Sequence, residues 1–164
     1  MALTPAIIKA TITQGLAAWN EATSNEPTDI EGTIYRITDA TITMAYEWRR
    51  LSARATDANE AAGYLTHCLG WAATALEVDG LWHATTLTDL LVRKSTLYGT
   101  SNHELYGILG IMVRISDKVS RMQALITHRH ASPEAEYRWR DTLYDIAGYA
   151  VLGLLLLGKG SNEG

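Results

Sequence analysis

The sequence contains no phenylalanine, a single cysteine and only three prolines in 164 residues. The lone Cys68 excludes an internal disulfide and is typical of a protein from a reducing cytoplasm. Few prolines, together with the lack of long glycine/serine tracts and of charge runs, argue against a disordered tail or linker. Tryptophan and tyrosine, with five and eight residues, must therefore supply the aromatic packing.

The chain also lacks an excess of positive charge. Its net charge is −4 and its pI is near 5.7, which disfavours a nucleic-acid polymer as the partner because such binding usually needs a basic face. An acidic protein can still hold a small polyphosphate where a metal and local lysines or arginines bridge it. With 47% hydrophobic and 20% charged residues, the composition is that of a soluble globular domain.

Neither the N-terminus nor the longest apolar run has the pattern of a membrane-targeting signal. The N-terminus lacks the charged-then-apolar order of a signal peptide. The longest apolar run, residues 146–158, has 13 residues, whereas a transmembrane helix needs about 20. We therefore expect a cytoplasmic protein without a membrane partner, in which this run forms a buried helix.

Helix signals dominate the sequence. Thr4 and Pro5 form a cap and first-turn pair, and Ser132 with Pro133 repeats it before a last helix that should end near Gly158. Sustained period-two alternation is absent, which argues against strands. The sequence predicts an all-α helical bundle.

Two further helices are predicted between these ends. Thr85 or Thr86 can cap a helix that ends at Gly99. Ser101 or Asn102 can then cap the next helix, which should continue to about residue 128.

A short phrase recurs along the chain. With a shift of 78 residues, "RITD" at 36–39 falls on "RISD" at 114–117, and the register continues through the following helix. Gly32, Met44, Leu65 and Gly70 fall in the same register on Gly110, Met122, Leu143 and Gly148. We therefore predict two fused three-helix repeats, residues 1–78 and 79–164, which together form a pseudo-dimer.

The differences between the two repeats indicate which residues are candidates for a functional site. Arg114 and Asp117 have counterparts in Arg36 and Asp39. The C-terminal residues without a charged counterpart are Lys118, Arg121, Asp141 and Asp145, which align with Ala40, Thr43, Gly63 and His67. The comparison predicts one working C-terminal half and a degenerate N-terminal half.

Asp141 and Asp145 stand four residues apart in the last predicted helix, so their Cβ atoms should lie about 5–6 Å apart on one face. The helix beyond them is apolar nearly all round and should be buried. One interpretation is that the pair binds Mg²⁺ or Mn²⁺, which prefer oxygen ligands. The alternative is that both are exposed acids near a helix N-terminus, where the helix dipole favours them.

The helix before it carries an apolar stripe and a charged cluster. The stripe consists of Ile111, Met112, Ile115, Val119, Met122 and Ile126. The cluster consists of Arg114, Asp117, Lys118 and Arg121. Either Asp117 pairs with the two arginines on a solvated face, or it completes a carboxylate set while the basic residues hold phosphate oxygens.

Three further residues each allow two interpretations. Glu104 suits either a helix N-terminus or a catalytic role. Lys94 and Tyr98 either approach a ligand or end a helix.

Three blocks, "KSTLYG", "GILGIMVRISDKVSRM" and "RDTLYDIAGYAVLGLLLLGKG", together resemble the nucleotide-modification-associated domain found in many phages. That family in turn resembles the MazG-like all-α nucleotide pyrophosphohydrolases, a superfamily that includes the dimeric dUTPases. The resemblance covers about residues 90–158. The chain departs from the superfamily pattern at Arg138, where a glutamate is expected, and at Leu97, where an acidic residue is common.

The resemblance implies a phage-associated enzyme, in the host cytoplasm, that cleaves a nucleoside triphosphate to the monophosphate and pyrophosphate with Mg²⁺ or Mn²⁺. By position it assigns Asp117, Asp141 and Asp145 to the acidic set, with Glu104 as a further candidate metal ligand. The candidate substrate contacts are Lys94, Tyr98, Arg114, Lys118 and Arg121. The alternative function is a non-catalytic helical module that binds a nucleotide or a protein. Association with a second copy stays open in both cases.

Overall fold

A computed structural model describes residues 3–23, 58–98 and 101–162 of the protein. Within these ranges the side chains at 22–23, 58–60, 96–98, 101–106, 109 and 159–162 are not described. Every regular element in the described ranges is helical. The all-α prediction is therefore confirmed for this part of the chain.

Five α-helices make up the described fold. They are α1 (Pro5–Thr23), α2 (Ala58–Val78), α3 (Ala84–Tyr98), α4 (Ser101–Leu125) and α5 (Pro133–Asn162). A short 3₁₀ helix, Ile126–His128, follows α4.

The predicted caps at both ends of the chain are confirmed. The Thr4 hydroxyl accepts a hydrogen bond from the Ile7 amide at 3.3 Å, and the Ser132 hydroxyl accepts one from the Ala135 amide at 3.1 Å. Each satisfies a backbone donor that the first helical turn leaves without a partner.

The predicted start of α3 is wrong by two or three residues, because a cap at Thr85 or Thr86 would place the first helical residue at 86 or 87. The helix begins at Ala84, and the amide of Thr86 already donates to the carbonyl of His83 at 3.0 Å. His83 is itself fixed from outside, because its amide donates to the hydroxyl of Tyr144 on α5 at 3.0 Å. A long-range bond thus sets this helix start, and a local capping signal could not reveal it.

Helix α4 contains a break at Gly107, whose φ of 62° and ψ of −150° are not helical. Glycine tolerates this conformation because it has no Cβ. The predicted end of this helix near residue 128 is confirmed, although its last turn is the 3₁₀ segment.

Helix α5 lies at the centre of the described bundle, where it packs mainly against α2 and α4, and α1 packs against α2 and α3. The apolar stripe predicted for α4 is confirmed. Ile111, Met112, Ile115, Val119 and Met122 are buried, and Ile126 is half-buried.

One described helix, Pro133–Gly158, is long and apolar enough to cross a membrane. Some 61% of its most apolar window is buried inside the bundle. The core helix of a soluble protein meets the same criterion, so this finding is weak evidence for a membrane span.

The recurring phrase of the first repeat cannot be placed. Gly32, Arg36, Asp39 and Met44 all lie outside the described residues.

Candidate functional site

Asp145 is a buried carboxylate on α5. Its side chain is 5% exposed, and its chain neighbours Tyr144 and Ile146 are buried at 4% and 0%. Burial follows from the helix itself, because the residues after position 141 are apolar on nearly every face. An ionised carboxylate in such a position needs partners to offset the loss of water.

Two lysines from two other helices provide those partners. The ammonium nitrogen of Lys94 on α3 lies 2.7 Å from Oδ1 of Asp145. The ammonium nitrogen of Lys118 on α4 lies 2.9 Å from Oδ2 of the same carboxylate. Asp145 thus joins α3, α4 and α5 at one point through charge-assisted contacts. We call this group of three side chains the lysine–aspartate triad.

The triad differs in exposure from one member to the next. The Lys94 side chain is 44% exposed and that of Lys118 is 20% exposed, whereas Asp145 faces the interior. The two ammonium groups therefore lie between the buried carboxylate and solvent. With two positive charges for one negative charge, the triad has a surplus positive charge that a ligand can approach.

Lys94 also responds to the other groups on α5. Burial lowers the pKa of its ammonium group, but the hydrogen bond to Asp145 and the charges of Asp145, Asp141 and Tyr149 raise it. The net result is a pKa above the ordinary value of 10.5. Lys94 is therefore a firmly charged cation at neutral pH.

Asp141 lies one turn before Asp145 and is half-buried. Its negative charge contributes to the raised pKa of Lys94, so Asp141 acts electrostatically on one member of the triad. Both aspartates lie on the same helix, four residues apart. Their environments differ, because Asp145 holds both lysines and Asp141 takes part in no ion pair among the described residues.

The charged cluster predicted for α4 divides into two parts. Lys118 faces α5 and contacts Asp145, whereas Arg114, Asp117 and Arg121 are exposed. Within the described part of the chain, Asp117 forms no ion pair with either arginine. Arg114 and Arg121 stand four residues before and three residues after Lys118, so both are its neighbours on the surface of the helix.

Two predicted site residues are placed by their backbone alone. Tyr98 is the last residue of α3, and Glu104 lies in α4 before the break at Gly107. Neither side chain is among those described, so the roles predicted for them remain predictions.

The described side chains do not fit a divalent cation at Asp145. Both carboxylate oxygens already contact ammonium groups, and the described residues contain no group of three or more histidine, cysteine, aspartate or glutamate side chains that could hold a metal. Mg²⁺ binds oxygen ligands at about 2.0–2.1 Å, and a cation there would have to displace a lysine. Asp141, one helical turn before Asp145, is a predicted ligand whose carboxylate takes part in no ion pair among the described residues.

A second polar region lies where α5 begins, outside the predicted site. Here a cavity of about 290 Å³ borders Asp79, His130 and Trp139. His130 lies 3.7 Å from Asp79 and 3.5 Å from Glu136, both long for strong contacts. The indole nitrogen of Trp139 is buried without a hydrogen-bond partner in the described structure.

Tyr144 is a positioning residue that the sequence did not reveal. Its hydroxyl donates to the carbonyl of Leu81 at 2.6 Å and accepts from the amide of His83. The Trp82 ring stacks on its ring, with centroids 5.9 Å apart. These contacts fix the α2–α3 turn against the helix that carries Asp145. The only signal was a tyrosine beside Asp145 in the buried helix.

Comparisons with known proteins give no relatives: no protein-family model, no curated protein and no solved structure matches the chain. The resemblance stated from the sequence blocks therefore remains an expectation.

Proposed function

We propose that this chain binds a nucleoside triphosphate, and that the lysine–aspartate triad holds its phosphate groups. The observation that carries the proposal is the convergence of Lys94 and Lys118 from different helices on the buried Asp145. Lysine is a common point-charge ligand for phosphate. The resemblance of the sequence blocks to nucleotide-processing proteins supports the same class of ligand.

The exposed arginines of α4 extend this site. Arg114 and Arg121 are free to turn towards an anion beside Lys118, and a guanidinium group can contact two phosphate oxygens at once. A triphosphate carries several negative charges in a row, which suits a line of cations. Tyr98, at the end of the helix that carries Lys94, is proposed to contact the nucleoside side of the ligand.

The binding test is a calorimetric titration with the standard and modified deoxynucleoside triphosphates. We expect binding that weakens by about tenfold or more in Lys118→Met, which removes a charge-assisted contact. Lys9→Met is the matched control, because Lys9 is an exposed lysine on α1. Absence of binding by the folded wild-type protein to every member of the panel would refute the proposal.

A second candidate is cleavage of the bound triphosphate to the monophosphate and pyrophosphate. The observation that favours it is Asp141, a half-buried carboxylate one turn from the triad. In this reaction water attacks the α-phosphorus, Asp141 accepts its proton, and the bond from the α-phosphorus to the bridging oxygen breaks. Pyrophosphate then leaves, and the lysines stabilise the charge that develops on it.

The resemblance also implies a requirement for Mg²⁺ or Mn²⁺. Since Asp145 as placed does not fit such an ion, we assign no step of this reaction to a metal. The cleavage assay therefore has three arms, with Mg²⁺, with Mn²⁺ and with EDTA, and measures both products. Loss of turnover in Asp141→Asn with retained binding would support the general-base role. No turnover in any arm would leave binding as the function.

We further propose that the chain arose by duplication. In the shift of 78 residues, α2 falls within the range of α5, and the α2 glycine Gly70 falls on Gly148 of α5. Both glycines lie against a neighbouring helix, Gly70 against Trp19 of α1 and Gly148 against Leu91 of α3. Residues 1–78 and 79–164, produced as separate chains, should then form a one-to-one complex with the helix content of the intact protein. Failure to associate would argue against this origin.

A further inference from the structure

We propose that Lys94 and Lys118 take the place of the divalent cation, so that the protein binds the polyphosphate in its metal-free form. This inference rests on the proposed function and names the state of the ligand that the site selects. A nucleoside triphosphate without a chelated metal, or inorganic tripolyphosphate as its simplest analogue, is the ligand class.

The first argument is the match in charge. A divalent cation in a nucleotide site brings two positive charges between an acidic side chain and the phosphates. Here two lysines bring the same total, and each already lies on one oxygen of Asp145, at 2.7 and 2.9 Å. The carboxylate therefore acts as an anchor that orients two cations towards solvent.

The second argument is that the lysines retain donors for a ligand. An ammonium group has three N–H donors. Lys94 uses one of them in its hydrogen bond to Asp145, and Lys118 contacts the other carboxylate oxygen as an ion pair. Further N–H donors on both lysines can therefore bind phosphate oxygens without breaking the triad. The exposure of both side chains, 44% and 20%, leaves a path for such an approach.

The third argument concerns where a metal would have to bind. Asp141 is the predicted metal ligand one turn before Asp145, and its negative charge already helps to raise the pKa of Lys94. A cation bound there would be repelled by the neighbouring ammonium groups, because charges a few ångströms apart in a partly buried site interact strongly. The arrangement thus favours a free polyanion over its metal complex.

The experiment is a calorimetric titration of the intact protein with inorganic tripolyphosphate and with a deoxynucleoside triphosphate. Each titration is made once in EDTA and once with Mg²⁺ in excess over the ligand. We expect binding in EDTA, and weaker binding with Mg²⁺ because the ion competes with the lysines for the phosphate oxygens.

Two variants separate this inference from a structural effect. Lys118→Met should weaken binding in EDTA by about tenfold or more, whereas Lys9→Met should leave it unchanged. Circular dichroism and urea unfolding establish that both variants are folded. An unchanged affinity in a folded Lys118→Met protein would overturn the inference.

The two conditions also distinguish the inference from the proposed function. Binding of the triphosphate only with Mg²⁺ would overturn the metal-free inference and leave nucleotide binding intact. Absence of binding in both conditions would overturn both. Binding in EDTA that Mg²⁺ weakens supports both.

Discussion

Helices α2 and α5, which pack against each other, differ in the side chains that they carry at one aligned position. On α2, the ring of His67 lies among aromatic rings, 5.4 Å from Trp19 and 5.2 Å from Trp71 in edge-to-face geometry. On α5, the residue aligned with it by the shift of 78 is Asp145, held by two lysines. At this aligned position α2 contributes ring packing, whereas α5 contributes an ion-paired carboxylate.

This difference favours the C-terminal half as the place of the proposed ligand. Aromatic clusters are stabilised by their own contact area and geometry and offer little to a phosphate. A buried ion group is a poor source of stability in comparison with an apolar cluster of the same volume. Its cationic groups can nevertheless bind an anion, so the cost in stability is understandable where it serves binding.

The largest expected effect is that of Asp145→Asn. Asp145→Asn removes the negative charge that both ammonium groups contact, and the loss of two charge-assisted contacts should lower the free energy of unfolding by about 3 kcal/mol. Urea denaturation measures it. Asp89→Asn is the control, because Asp89 is exposed on α3, and it should change stability by no more than about 0.5 kcal/mol. Equal stabilities of the two variants would contradict the importance of the triad.

A triple variant, Asp145→Leu with Lys94→Met and Lys118→Met, sharpens this test. Apolar residues of similar volume should restore much of the stability that Asp145→Asn loses. Binding of tripolyphosphate should not return, since the cations are gone. Recovery of binding along with stability would show that the triad is structural only.

The ring packing around α2 is tested by Gly70→Ala. A methyl group at Gly70 would overlap the ring of Trp19, and overpacking of this kind costs about 1–3 kcal/mol. At Gly63, on the same helix, a methyl group would meet nothing within 4 Å. Gly63→Ala should therefore raise stability by up to about 1 kcal/mol through helix propensity. If the packing is as described, thermal unfolding should show a loss of stability for Gly70→Ala and a gain for Gly63→Ala.

Tyr144→Phe should have a smaller effect. It removes the hydroxyl that bonds Leu81 and His83, and we expect a loss of about 1 kcal/mol. Tyr137→Phe is the matched control, because Tyr137 is 58% exposed. A loss in the control as large as that in Tyr144→Phe would argue against the link between α5 and the α2–α3 turn.

The smallest expected effect is on the alkaline limit of stability. The pKa of Lys94 is raised on folding. The contribution of the charged lysine to the free energy of unfolding is therefore fully present below the pKa of the unfolded state. It is lost as the pH rises through the pKa of the folded state. The difference in unfolding free energy between the wild type and Lys94→Met should be constant at neutral pH and shrink above pH 10.5. A difference that shrinks between pH 6 and 9 would indicate another group.

Much of the fold could be predicted because its signals are local. The caps at Thr4 and Ser132 and the apolar stripe of α4 depend on residues a few positions apart, and all are confirmed. The start of α3 at Ala84 was not predicted, since it depends on a bond from His83 to a distant helix. The break at Gly107 was also missed, because a single glycine within a helical pattern does not reveal its backbone angles.

The candidate site was predictable only in part. The burial of Asp145 follows from the apolar helix around it, but its partners come from α3 and α4 and depend on how the helices pack. Lys118 and Asp117 are adjacent in the sequence, about 100° apart around the helix. The packing turns Lys118 towards α5 and Asp117 towards solvent. A pattern of charges alone could not decide which of the two would face the site.

The most direct test of the central claim is nuclear magnetic resonance of the lysine ammonium groups in the presence of EDTA. We predict two ammonium signals protected from exchange, from Lys94 and Lys118, both lost in Asp145→Asn. Both should shift when tripolyphosphate is added without metal. Signals that stay unchanged while the ligand binds, or that move only once Mg²⁺ is added, would contradict the account.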